Sequence, residues 1–109
     1  MTTDELQCVD ACNAASWLCR EGVPIVRAPP GEMLATCAEV CDVTAHVLPR
    51  EAGFGARDVA MLCSKLCRSA ADLLLKASPD DATKELVEAL IACADACHVV
   101  AIGTIPATS

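Results

Sequence analysis

Residues 56–77 read Ala-Arg-Asp-Val-Ala-Met-Leu-Cys-Ser-Lys-Leu-Cys-Arg-Ser-Ala-Ala-Asp-Leu-Leu-Leu-Lys-Ala. At about 100° per residue, Ala56, Val59, Ala60, Cys63, Cys67, Ala70 and Leu74 fall on one stripe. Arg57, Lys65, Arg68 and Asp72 fall elsewhere. This is the pattern of an amphipathic helix that turns two thiols toward a core, because side chains at i and i+4 lie one above the other.

Three other segments repeat the pattern. On the second, Leu34, Cys37, Cys41, Thr44 and Leu48 share a stripe. On the last, Leu86, Leu90, Cys93, Cys97 and Val100 do, against Lys84, Glu88 and Asp95. The breaks between segments carry the Pro and Gly clusters. Thr2 with Glu5 offers a capping box and Gly22 a stop. Pro24, Pro29 and Pro30 punctuate a connector, Pro49 ends the second segment, and Gly53 and Gly55 mark a short loop. Ser78-Pro79-Asp80-Asp81 places a cap, a first-turn proline and acidic residues at the positive end of a helix dipole. The expectation is one domain, residues 1–109, with helices at about 3–20, 31–48, 56–77 and 79–102. No segment alternates with period two, and the short later loops make neighbours antiparallel. The fold class is therefore all-α, an up-down antiparallel four-helix bundle with a Cys-lined core.

Composition supports a tightly packed helical core. Apolar residues make up 54% of the 109 residues but aromatics only 2%, so Ala, Leu, Val and Cys must fill the interior. A formal charge of -7 argues against nucleic acid, which is met with Lys/Arg-rich faces. The first residues are acidic where a secretory signal would be basic, and no apolar run reaches the roughly 18 residues of a membrane span. These features lead to the expectation of a cytoplasmic protein with neither nucleic-acid nor membrane partners. In a reducing cytosol nine cysteines, an odd number, do not make a disulfide framework.

The cysteines fall as Cys8/Cys12, Cys37/Cys41, Cys63/Cys67 and Cys93/Cys97, one Cys-x-x-x-Cys per helix, with Cys19 outside the pairs. Alternating the helix directions and using the 1.5 Å rise puts all eight paired thiols in a band of roughly 12 Å along the bundle axis. Cys19 lands about 10 Å from the midpoint, toward the opposite end. Any one buried cysteine can be packing. Four identical pairs in register are different, since Ala or Val would fill the space without the oxidation liability. An all-thiolate donor set is soft and selects Cu(I), zinc or iron–sulfur. Zinc and iron–sulfur sites mostly draw on Cys-x₂-Cys runs, whereas a linear S–Cu–S unit of about 4.5 Å suits thiols at i and i+4. The spacing favours Cu(I), though not exclusively.

On these pairs, and on fragments such as Cys8-Val9-Asp10-Ala11-Cys12 and Cys93-Ala94-Asp95-Ala96-Cys97, the sequence resembles the bacterial copper storage proteins and the related cysteine-rich four-helix-bundle copper-binding family. The resemblance covers about residues 3 to 102 and implies Cu(I) held by core thiolates, with His or Met near one bundle end where copper enters in some members. Storage members line the bundle with more cysteines. Two per helix plus Cys19 favours one compact cluster.

The expected metal ligands are Cys8, Cys12, Cys37, Cys41, Cys63, Cys67, Cys93 and Cys97, with Cys19 and His98 as further candidates. His46, Met61 and His98 lie at the same expected end as the band, but periodicity turns His46 and Met61 outward and leaves His98 on the flank. Met33 faces inward near Cys19 as core filler. Trp17 and Leu6 face outward, so either the 21–30 connector covers them or they mark a homo-oligomer contact. There is no Ser-His-Asp set, phosphate loop or His-Glu-x-x-His. The functional expectation is a cytoplasmic Cu(I)-binding protein that stores or buffers several copper ions per chain. The alternatives are a redox enzyme of a biosynthetic pathway with a Cys-ligated copper or iron–sulfur cluster, and a zinc or redox-sensing thiol protein.

Overall fold

The computed structural model describes residues 3–22, 30–50, 55–77 and 81–102. It contains four helices, α1 (Thr3–Gly22), α2 (Pro30–Val47), α3 (Ala56–Ala77) and α4 (Asp81–Ile102), and a 3₁₀ turn at Leu48–Arg50. Acidic Asp4 and Glu5 sit in the first turn of α1 and Arg20 in its last, each at the favourable end of the dipole. Pro30 opens α2, where a missing N–H costs nothing. Pro49 cannot continue an α-helix, so the chain tightens into the 3₁₀ turn. Gly55 then adopts φ 79°, which a residue without Cβ takes at little cost, and its carbonyl accepts from the Val59 N–H at 2.9 Å to start α3. Thr2, the connector residues Val23, Ile25 and Val26, and Ser78-Pro79-Asp80 lie outside the described residues.

Each helix packs on two others. α1 contacts α2 and α4, and α3 contacts the same two. Cys8 faces Cys97 while Cys12 faces Cys93, and Cys41 faces Cys63 while Cys37 faces Leu66. Numbers rise on α1 as they fall on α4, and on α2 as they fall on α3, so these two pairs run antiparallel. Small residues let α3 approach α4 closely. Ser64 and Ala71 on one and Ala94 on the other are buried, and Ser64 Oγ donates to the Ala94 carbonyl at 2.8 Å.

The core divides along its axis. Leu34, Leu74 and Leu90 are fully buried, and Leu86 and Val87 nearly so, toward the C-terminal end of α1. Gly22 is buried there too, and a Cβ on it would come within 3.0 Å of Leu86 Cδ2 and 3.4 Å of Leu34 Cδ1, so α1 ends on glycine where it meets leucines. The cysteines occupy the middle. Beyond them Ala45, Leu48, Ala56, Ala60 and Val100 close the other end. The expected stripes face inward except at Val59, which is half-buried at the edge of α3 outside the core, while Arg57, Lys65, Arg68, Asp72, Lys84, Glu88 and Asp95 face water. Leu6 and Trp17 are exposed, Trp17 at 62%. Met33 is half-buried against the core.

Candidate metal centre

All nine cysteines are free thiols with no exposed surface. Helical spacing puts each pair on the inner face of its helix, and the four-helix packing brings the pairs into contact. Cys8 Sγ lies 3.3 Å from Cys97 Sγ, and Cys97 lies 3.6 Å from Cys12 and 3.9 Å from Cys93. Cys93 is 3.6 Å from Cys12, 3.8 Å from Cys63 and 3.9 Å from Cys41. Cys63 is 4.0 Å from Cys12, 3.7 Å from Cys41 and 4.0 Å from Cys67, and Cys41 is 3.7 Å from Cys67. Cys8, Cys12, Cys41, Cys63, Cys67, Cys93 and Cys97 thus form one connected set of sulfurs.

Two of the expected ligands stand differently. Cys37 donates its S–H to the Leu66 carbonyl at 3.4 Å, so it borders the set beside α3 backbone. Cys19 stands outside the sulfur network, as its height on α1 led one to expect. Burial pushes its thiol up, and the nearby Cys37 and Cys41 add to that push. His98 is exposed, and with Met61, Lys65, Arg68 and Asp72 it lines a shallow groove on the outside of α3 and α4. Its neighbour Cys97 points inward to Cys8 and Cys12. His46 is exposed, and its Nδ1–H donates to the Asp42 carbonyl at 2.7 Å.

Within the network the thiols share protons as one system. Hydrogen bonds from Cys12, Cys41, Cys67 and Cys93 converge on Cys63 and hold it far below the ordinary thiol range. Of these four, Cys12, Cys67 and Cys93 are raised, whereas Cys41 is itself held down to about 5, first by its hydrogen bond with Cys12. Cys67 is raised first through Cys37 and then Cys41, and Cys93 is raised first through Cys12. Negative charge in the set is therefore favoured at Cys63, Cys41 and Cys8, the thiols on which neighbouring S–H groups converge.

Two groups of four sulfurs, each within 4.8 Å of one another, are dense enough to hold an ion: Cys12, Cys63, Cys93 and Cys97, and Cys41, Cys63, Cys67 and Cys93. Each takes one i, i+4 pair from a single helix and two more thiols from two other helices. The expectation that tetrahedral four-thiol sites need Cys-x₂-Cys spacing applies to ligands from one loop. It does not apply when three helices supply them. The i, i+4 sulfurs of Cys63/Cys67 and Cys93/Cys97 are 4.0 and 3.9 Å apart, a little short of the linear S–Cu–S span.

Sequence reasoning missed one polar cluster. Ser16 is buried on α1 and donates to Asp42 Oδ1 on α2 at 2.6 Å, while Arg20 donates to Ser16 and pairs with Asp42. The Arg20 hydrogen bond holds the Asp42 carboxyl below the usual range. No signal in the sequence pairs Ser16 and Arg20 with Asp42, because which residue of α2 faces α1 is set by the packing of the two helices.

The fold and the sulfur set define a helical protein whose interior is a soft, all-thiol donor set, fit for copper. A family model described as copper storage protein matches residues 1–102. The chain belongs to the copper storage protein family. No curated protein and no solved structure matches it.

Proposed function

We propose that this chain takes up Cu(I) in the cytoplasm and holds several ions as a thiolate cluster between its four helices. The observation that carries this reading is the connected set of seven buried sulfurs, each within 4.0 Å of at least one other. Cys37 and Cys19 extend it along the axis, and these nine residues are the proposed ligands. His98, exposed on the outer groove, is a candidate for handling copper on its way in, not for holding the cluster.

Copper is cargo in this reading. Burying isolated thiolates would be very unfavourable, so the empty core holds mostly neutral S–H groups, and each incoming Cu(I) exchanges for protons. Cys63, within 4.0 Å of Cys12, Cys41, Cys67 and Cys93, is the sulfur through which neighbouring ions would share ligands. The ion neutralises the sulfur it displaces a proton from, which lets a dry core accept metal after metal. A helix-lined core also shields Cu(I) from water and oxygen. Nine cysteines, an odd number, fit a compartment where thiols are kept reduced, which supports the cytoplasm. Among the described residues no helix is long and apolar enough to cross a membrane.

The test is anaerobic titration with Cu(I) against a chromophoric chelator, for the native chain and for a variant with Ala at the eight paired cysteines. The native chain should withhold several equivalents and the variant none. Fewer than two equivalents on the native chain would overturn the reading.

A further inference from the structure

The two four-sulfur groups share Cys63 and Cys93. Four ligands at the 2.3 Å of a zinc–sulfur bond form a tetrahedron with edges of about 3.8 Å. The shared Cys63–Cys93 edge is 3.8 Å. The outer edge Cys12–Cys97 is 3.6 Å and the outer edge Cys41–Cys67 is 3.7 Å. Of the remaining edges, Cys12–Cys93, Cys93–Cys97, Cys41–Cys93, Cys41–Cys63, Cys12–Cys63 and Cys63–Cys67 run from 3.6 to 4.0 Å. Cys63–Cys97 and Cys67–Cys93 lie within 4.8 Å. The six sulfurs outline two tetrahedra joined along one edge.

We infer that this core is also a dinuclear site for divalent tetrahedral ions of the Zn²⁺ type, with Cys63 and Cys93 bridging the two ions, Cys12 and Cys97 completing one and Cys41 and Cys67 the other. Charge supports sharing over separate sites. Two ions in two independent four-thiolate sites leave a net charge of -4 in the core. Six thiolates around two divalent ions leave -2, and the burial penalty on charge favours the smaller figure. Two independent sites would need eight sulfurs in two closed sets, and Cys8 and Cys37 belong to neither group. All six ligands are thiolates in the loaded site, whatever protons they still carry leave to solvent, and no electron changes hands. The inference does not depend on the copper reading, since it uses bond lengths and closure of the tetrahedra, not thiolate softness alone.

Reduced, metal-free protein titrated with Co²⁺ and Zn²⁺ under anaerobic conditions tests it, beside a Cu(I) titration of the same sample. Two equivalents of Co²⁺ with the intense d–d bands of tetrahedral sulfur coordination are expected. Cys63→Ala or Cys93→Ala should weaken both ions at least tenfold, whereas Cys67→Ala should weaken one. Should the bridging variants fail to fold, ¹¹³Cd resonance on the native chain decides, with two all-thiolate signals expected. One equivalent or none, an octahedral Co²⁺ spectrum, or a Cys63→Ala chain that loses a single ion would overturn it. Copper uptake without zinc uptake would overturn this inference alone, and zinc uptake without copper uptake would overturn the storage reading alone.

Discussion

The leucine end of the core and its sulfur middle are built on the same helices and are equally dry, yet they serve different purposes. At the leucine end, the buried side chains of Leu34, Leu74, Leu86 and Leu90 exclude water and do little else. About three turns before Leu74 on α3, Cys63 touches four other sulfurs in a space that leucine could have filled. Apolar burial of the leucines, about 1.5–3 kcal/mol each, gives the empty bundle its stability. The thiols contribute less to that stability and hold the metal. The contrast shows that a core can be divided along its axis into a part that holds the helices together and a part kept for cargo.

The division can be broken most forcefully by adding copper. At a thousandfold excess over its dissociation constant, a ligand that binds only the folded chain adds about 4 kcal/mol for each independent site. Copper-loaded protein should therefore unfold at a far higher temperature than empty protein in calorimetry, and the chain with Ala at its eight paired cysteines should show no such gain. Equal melting with and without copper would mean that the sulfur middle is ordinary core.

Truncating the other half should do the opposite. Leu74→Ala removes a fully buried side chain and should cost the empty protein about 2–5 kcal/mol in urea unfolding, with the copper equivalents per chain unchanged. A Leu74→Ala chain that unfolds like the native one but binds less copper would reverse the assignment of the two halves.

Alkaline pH sharpens the comparison at Cys19, which lies between the halves. Its thiol is raised above the ordinary value of 9.0, first by burial. Above pH 9 the unfolded chain loses this proton while the folded chain keeps it, so stability falls as pH rises. The fall approaches about 1.4 kcal/mol per pH unit and continues until the raised folded value is reached. Compared at the same pH, Cys19→Ala protein should lose stability less steeply than native protein above pH 9. Parallel curves would contradict this.

The smallest effect belongs to the surface between α1 and α2. Arg20 and Asp42 are 52% and 36% exposed, so Asp42→Asn should cost no more than about 1 kcal/mol, and added salt should shrink the difference. Copper uptake should not change, because neither residue reaches the sulfurs.

Much of the molecule was legible in the chain. Period-3.6 stripes on α2, α3 and α4 identified Leu34, Leu74, Leu90 and the paired cysteines as inward residues, because a helix that buries one face must repeat its apolar residues at that interval. The height of Cys19 on α1 set it apart from the network for the same reason. The Ser16–Asp42–Arg20 cluster was not legible. A polar side chain is buried or exposed according to what the neighbouring helix offers, and the sequence of one helix does not say which residue of the next will face it.

The sequence by itself determined that four helices would form and that each would turn two thiols toward a common interior, since both follow from local periodicity and helix rise. Only the tertiary structure decided which sulfurs meet. Cys37 turns to the Leu66 carbonyl while Cys63 and Cys93 each serve two four-sulfur groups, and that choice depends on how far each helix is rotated and slid against its neighbours. A shift of one residue along a helix moves a thiol by 1.5 Å and about 100° around the axis, enough to make or lose a ligand.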